Sequence, residues 1–300
     1  GYHRYTFPSS DQAAIVIDLQ NGGCWDRVIK SEMRVEGNNR IVGERHSSGW
    51  ARRQSVYFVA EFSKPFDTFE VKNTHYGRAN FSTKEGEKIM MKVAISPVSI
   101  EGAKANLASE LPKWPKLESV VTQAEKLWTA ELEKAQIESH EPNAKRIFYT
   151  ALYHTMVAPS VFCDVDGSYR GADGETHPNP GHTTYTTYSL WDTYRAQMPL
   201  LSILHPEKMG GMINTMLNIH DEQGRLPVWH LWGNETDCMV GNPGVISDGD
   251  NGFLVRKKNS NALADGIRKL LSDEELYKEM QNKTTFYFAL TIVSIFVQYL

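Results

Sequence analysis

The periodicity of the apolar residues changes once, near residue 110, and that change restricts the fold more than any other feature. Upstream, HRYTFP, AAIVIDL, EMRVEGNNRIVGER, SVYFVAEFS and EKIMMKVAISPVS are short runs rich in β-branched and aromatic residues. Apolar and polar positions partly alternate in them, which is the period of a half-buried strand. Asn-Gly-Gly at 21–23, Gly-Asn-Asn at 37–39 and Glu-Gly at 85–86 supply turns between the runs. Strands at such short spacing predict an antiparallel β-sandwich over residues 1–110. The series opens inside a strand-like run at Gly1, so the sandwich is expected to be incomplete, with one edge bare.

Downstream the period becomes helical. LPKWP (111–115) breaks the chain, and residues 111–140 read as an amphipathic connector helix. Its apolar positions are Leu117, Val120, Val121, Ala124, Leu127, Trp128, Leu132 and Ala135, with charged residues on the other face. A second helix follows Pro142 through KRIFYTALYHTMVA. The long irregular stretch from Ala158 to Ser189 is dominated by Gly, Pro and Asp, and loops of that length in compact domains are usually functional. TTYSLWDTYRAQMPLLSIL leads into another helix, and HPEKMGGMINTMLNIHDEQG gives one more, closed by Gly224. The fold class expected is therefore α+β and multidomain: an incomplete N-terminal antiparallel sandwich, then over residues 141–246 the first helices of an incomplete α/α (six-hairpin) barrel.

A second change comes near residue 246. SDGDNGFLVRKKNSNALADGIRKLLSDEELYKEM (247–280) resembles the C-terminal region of GT-B-fold glycosyltransferases, where such a turn and strand precede an Ala-Leu-Ala helix. Residues 247–283 are accordingly expected to be a glycosyltransferase-like fragment. Residues 284–300, TTFYFALTIVSIFVQYL, carry no charge and reach the short end of a membrane-spanning length. This apolar tail is the only segment suited to a membrane, and a misjoined gene end explains it equally well.

Composition excludes more than it assigns. A net charge of −4 with scattered Lys and Arg gives no footprint for nucleic acid. Cys24, Cys163 and Cys238 are too few and too dispersed for a disulfide framework or a zinc motif. Gly1 is not a start methionine and no signal peptide is visible, so the compartment stays open. A monomer is expected.

The functional chemistry is concentrated in TTYTTYSLWDTYRAQMPL (183–200) and RLPVWHLWGNETDCMVGNPG (225–244). Trp191, Trp229 and Trp232 lie there beside Asp192, Glu235 and Asp237, with Arg195, His230 and Asn234. Indole faces stack on the C–H faces of pyranose rings, and carboxylates and amides hydrogen-bond to vicinal hydroxyls. Asp192 and Glu235 are spaced about one helical hairpin apart, which permits an acid–base pair at one barrel mouth. Asp164, Asp166 and Asp173 form a loop cluster without EF-hand spacing, and a solvated acidic loop is the plainer reading.

SLWDTYR followed by LPVWHLWGNETDCMVG closely resembles glycoside hydrolase family 92, the calcium-dependent, inverting exo-α-mannosidases. GYHRYTFP, VAISPVSIEGAKANLASELP and FYTALYHTMVAPSVFCDVDGSYRG fit the same family in the same order, so the resemblance covers about residues 1–245. It implies a sandwich beside an α/α barrel, a mannose-containing glycan as substrate, calcium as cofactor, and a periplasmic or secreted location for the intact enzyme. By resemblance Trp191 and Asp192 line the mannose pocket, and Asn234, Glu235 and Cys238 sit on a neighbouring loop. Arg170 and Asp173 in YRGADG support the pocket. Inversion requires a carboxylic acid and a carboxylate base about 6.5–9.5 Å apart. The resemblance places both, and most calcium ligands, beyond residue 245, so no catalytic residue and no metal ligand is assigned. The expected function is that of a truncated α-mannosidase, inactive by itself. The alternatives are a non-catalytic carbohydrate-binding fragment and a glycosyltransferase.

Overall fold

A computed structural model describes residues 1–21, 25–194 and 196–239, together with Glu275. The expectations for residues 247–283 and 284–300, and for Cys24 and Arg195, lie outside the described residues. Eight strands come first: β1 (Tyr2–Phe7), β2 (Ser10–Asp18), β3 (Arg27–Glu36), β4 (Arg40–Ser48), β5 (Gln54–Phe62), β6 (Thr68–Lys72), β7 (Tyr76–Thr83) and β8 (Glu87–Ser96). Then come α1 (Ile100–Glu110), α2 (Leu117–Leu132), α3 (Ala144–His154) and the two-residue strands β9 (Ser160–Val161), β10 (Tyr169–Arg170), β11 (Thr176–His177), β12 (Tyr185–Thr186) and β13 (Tyr188–Ser189). The described elements end with α4 (Leu190–Thr193), α5 (Gln197–Leu204), α6 (Pro206–Gln223), β14 (Trp229–Leu231) and β15 (Asn234–Glu235).

The chain divides into two units. The first comprises Gly1–Glu133, Phe162–Gly181 and Trp232–Asn234. It holds a five-stranded sheet, ordered β1-β8-β5-β4-β3, and a three-stranded sheet, ordered β2-β7-β6. Every pairing in them is antiparallel. The inward residues of both sheets meet in one core: Ala13 and Ile15 from β2, Ile41 from β4, Phe58 and Phe62 from β5, Phe81 from β7, Ile89 and Met91 from β8. The alternation read from the sequence is thus the alternation of a sandwich core.

Within residues 1–110 three elements were not expected. β6 and β7 escape notice because β6 is almost wholly exposed and β7 carries Gly77 and Asn80, poor strand formers. α1 corrects the reading of residues 1–110 as β throughout. Ser99 caps it, its hydroxyl accepting from the Gly102 amide at 2.9 Å. Ile100, Ala103 and Leu107 then bury a narrow stripe against Val42 and Val59, on the face of the large sheet away from the sandwich core. Burying the two larger side chains stabilises the contact by about 1.5–3 kcal/mol each.

α2 lies inside the expected 111–140 but runs only from Leu117 to Leu132, and none of its residues is buried. Its start is tied to the sandwich: Arg4 pairs with Glu118, and the Tyr2 hydroxyl donates to the Pro115 carbonyl at 2.6 Å. Lys92, almost fully buried and 3.0 Å from Glu61, lies 4.4 Å from the centroid of the Trp114 ring.

The second unit comprises Lys134–Val161, His182–Leu231 and the described residues from Glu235 on. α6 starts at Pro206 and stops at Gly224, as expected. Tyr188, fully buried, donates its hydroxyl to the Met212 carbonyl of α6 at 3.0 Å. Gln197 at the start of α5 donates to the carbonyls of Thr155 and Ala158, at 3.0 and 2.6 Å, and so fastens the end of α3.

Candidate functional site

The seven residues singled out in the sequence fall in both units. Arg170, Asp173 and Asn234 belong to the first; Trp191, Asp192, Glu235 and Cys238 belong to the second.

In the first unit, the loop 162–181 is fixed by a buried carboxylate. Asp164 accepts from the Ser96 hydroxyl at 2.6 Å and from the Asn106 amide at 2.8 Å. Asn106 in turn accepts from the Val165 amide. Burial pushes the Asp164 carboxyl above the ordinary carboxylate range. Asp166 closes its own turn by accepting from the Ser168 hydroxyl and amide, and those bonds hold its carboxyl below that range. The acidic loop is therefore a structural clasp with one buried member, where the sequence read as solvated.

Arg170 gives its guanidinium to three carbonyls, of Pro97, Val98 and Gly174. Asp173 accepts from the Glu175 amide and contacts His177 Nε2 at 2.9 Å, and the His177 ring stacks on Tyr169. Asn234 brackets residue 53: its Oδ1 accepts from the Arg53 amide at 3.2 Å, and its Nδ2 donates to the Arg53 carbonyl at 2.6 Å. The Arg53 side chain donates to the carbonyls of Ala172 and Asp173. Arg53 thus joins Asn234 to Asp173. It was not singled out because only the fold brings residue 53 beside residue 234.

In the second unit, Trp191 is 38% exposed and Asp192 is exposed beside it, its carboxylate accepting from the Ser189 hydroxyl. Glu235 is the opposite. It is 7% exposed and accepts from the amides of Val228 at 2.7 Å, Trp229 at 3.0 Å and Thr236 at 3.1 Å. A carboxylate committed to backbone amides organises a loop; a general acid or base must exchange its proton with substrate. The Thr236 hydroxyl donates to the Trp229 carbonyl and lies 3.1 Å from the Cys238 thiol, so Cys238 borders this loop. Asp237 pairs with Arg225.

Backbone strain is concentrated in the same blocks. Thr187, Trp232 and Asp237 hold left-handed conformations at φ of 66°, 50° and 54°. Each costs on the order of 1–3 kcal/mol, and such residues gather where a loop presents side chains to a ligand. His230, in β14, is 2% exposed, and neither of its ring nitrogens has a hydrogen-bond partner. Burial pushes its imidazole down to about 3.

Among the described residues no group of three or more His, Cys, Asp or Glu side chains is placed to hold a metal ion. The carboxylates of Asp164, Asp166 and Asp173 are already engaged, as above. Among the described residues, the calcium implied by resemblance therefore finds no fitting donor set.

The N-terminal domain model of glycosyl hydrolase family 92 matches residues 1–96, and the catalytic domain model of that family matches residues 102–286. The second match runs through residues 247–280, so the resemblance of that stretch to a glycosyltransferase is not supported, and the similarity extends well past residue 245. Among solved structures, a GH92 α-mannosidase from Bacteroides thetaiotaomicron is 31% identical over 94% of the chain, with a TM-score of 0.74. The same relative has been solved with mannoimidazole. An inverting GH92 mannosidase from Bacteroides thetaiotaomicron VPI-5482 is 25% identical over 80% of the chain, with a TM-score of 0.69. The chain spans 39% of the first relative's length and 34% of the second's. No curated protein matches it.

Proposed function

Because this chain belongs to glycosyl hydrolase family 92, we propose that it is the sugar-holding portion of an α-mannosidase acting on terminal α-mannosides of glycans. The observation that carries this is the pair of family matches spanning almost the whole chain, with a mannosidase relative at 31% identity over 94% of it. In this reading the helices of the second unit are the opening part of an α/α barrel, and the intact enzyme hydrolyses with inversion.

Trp191 offers a half-exposed indole for the apolar face of the mannose ring, and Asp192 accepts from its hydroxyls. Glu235 acts one step removed, holding Val228, Trp229 and Thr236 in one loop conformation. Asn234, Arg170 and Asp173 brace loops of the first unit. No described carboxylate pair is assigned the acid and base roles, and no step is assigned to calcium.

The test is a calorimetric titration of the chain with methyl α-mannoside. Saturable binding is expected, and Asp192→Ala should weaken it by about tenfold or more, the worth of a hydrogen bond to a charged group. The chain alone should release no mannose from α-1,2-mannobiose. Absence of binding sinks the reading; release of mannose abolished by Asp192→Ala would replace it with an active enzyme.

A further inference from the structure

The sandwich unit carries a second concentration of indole. Trp25 is 86% exposed, the most exposed large apolar side chain among the described residues, and Trp50 is half-buried beside it. Their ring centroids are 6.3 Å apart and the planes are tilted by 43°. A solvated indole is an apolar liability unless something covers it.

The backbone beneath this pair is immobilised, although the Trp25 indole is open. Asp26, next in the chain, forms a nearly buried ion pair with Arg45 at 2.6 Å, and Arg45 also donates to the Leu19 carbonyl. Gly49 lies against the same segment so tightly that an added Cβ would sit 2.6 Å from the Trp25 carbonyl oxygen and 2.7 Å from Asp26 Cα. Only glycine lets residues 49–53 approach, and that approach brings Trp50 to Trp25. The same short loop continues through exposed Arg52 and Arg53, and Asn234 brackets the Arg53 backbone.

We propose that Trp25 and Trp50 form a pyranose-stacking subsite on the sandwich unit, taking one ring of a glycan chain. Two tilted indole faces on a loop held by the Asp26–Arg45 pair and the Gly49 approach match the apolar C–H faces of a pyranose ring. Fixing the loop beforehand removes much of the ordering cost of binding. The choice of a carbohydrate rests on the family reading, and the test separates the two.

The chain is titrated with α-1,2-linked mannotetraose and with cellotetraose, alongside Trp25→Ala, Trp25→Phe and Asp192→Ala. Trp25 is solvent-exposed, and an unchanged melting temperature confirms that its variants fold. Trp25→Ala should weaken mannotetraose binding by about five- to tenfold, and Trp25→Phe should recover most of it. A loss on Trp25→Ala confined to cellotetraose keeps the subsite and rejects the mannoside reading. Mannotetraose binding that survives Trp25→Ala but falls with Asp192→Ala keeps the mannoside reading and overturns the subsite. Binding of neither oligosaccharide overturns the subsite as well.

Discussion

At neutral pH His230 is an uncharged imidazole sealed in the second unit, and its proton chemistry differs between the folded and unfolded chain. Burial pushes it down to about 3 in the fold, whereas an unfolded histidine titrates near 6.5. Between those values the unfolded chain takes up a proton that the folded chain refuses. His230 therefore costs nothing above about pH 6.5, and below it stability falls by about 1.4 kcal/mol per pH unit crossed. Asp164, raised by burial, has the opposite sign, gaining stability as pH falls through the carboxylate range, so it offsets the loss only at the acid end. His230→Leu should flatten the dependence of melting temperature on pH between 7 and 4.5. Equal slopes for variant and parent would show that the acid sensitivity comes from elsewhere. The burial of this histidine was not legible in the sequence, where WHLW reads as readily as an exposed aromatic block.

Among the elements, α1 shows two residue preferences in conflict. Gly102 sits in its first turn, and replacing a helical glycine by alanine normally stabilises by about 1 kcal/mol. Here an added Cβ would lie 2.1 Å from Asp164 Oδ2 and 2.7 Å from Ser96 Oγ. Those two atoms are hydrogen-bonded to each other, and the other Asp164 oxygen accepts from Asn106, so the carboxylate does not yield as a free side chain would. Overpacking of about 1–3 kcal/mol then exceeds the helix gain, and Gly102→Ala should lower stability in a denaturant titration. A rise would mean that the Asp164 clasp gives way easily. The helix itself was hidden by its composition, since one narrow stripe of Ile100, Ala103 and Leu107 on a sheet face is a weak periodic signal. α2 is the converse. Its apolar positions from Leu117 to Leu132 announced it clearly, yet it buries none of them among the described residues. Periodicity reports the faces of a helix and says nothing about when they are covered.

Over the whole molecule, burial predicts how stability is distributed. Ile41, Val42, Val59 and Phe62 in β4 and β5, and Ile89 in β8, are fully buried, while α2 is open along its length. Amide hydrogen exchange should be slowest in those three strands and fastest in α2, because α2 opens without exposing a packed face. Comparable protection in both would contradict this reading of the core. The layout of strands and helices was legible because turn residues and apolar periods are local. The hydrogen-bond partners within the candidate site were not. Glu235 accepts from the backbone amides of Val228 and Trp229, partners that no side-chain motif encodes.

The first unit gathers its parts from far along the chain, and this sets a timetable for biosynthesis. Ser96 and Asn106 leave the ribosome well before Asp164, and Arg53 leaves long before Asn234, 181 residues later. At roughly 5–20 residues per second, the nascent sandwich spends several seconds with these clasps open. Its strands must hold their register through that interval on their own apolar core, centred on Ile41, Phe62, Phe81 and Ile89. A slowed ribosome between codons 106 and 164 would lengthen the exposure, and the loop of residues 49–53 gains its Asn234 bracket only when residue 234 emerges.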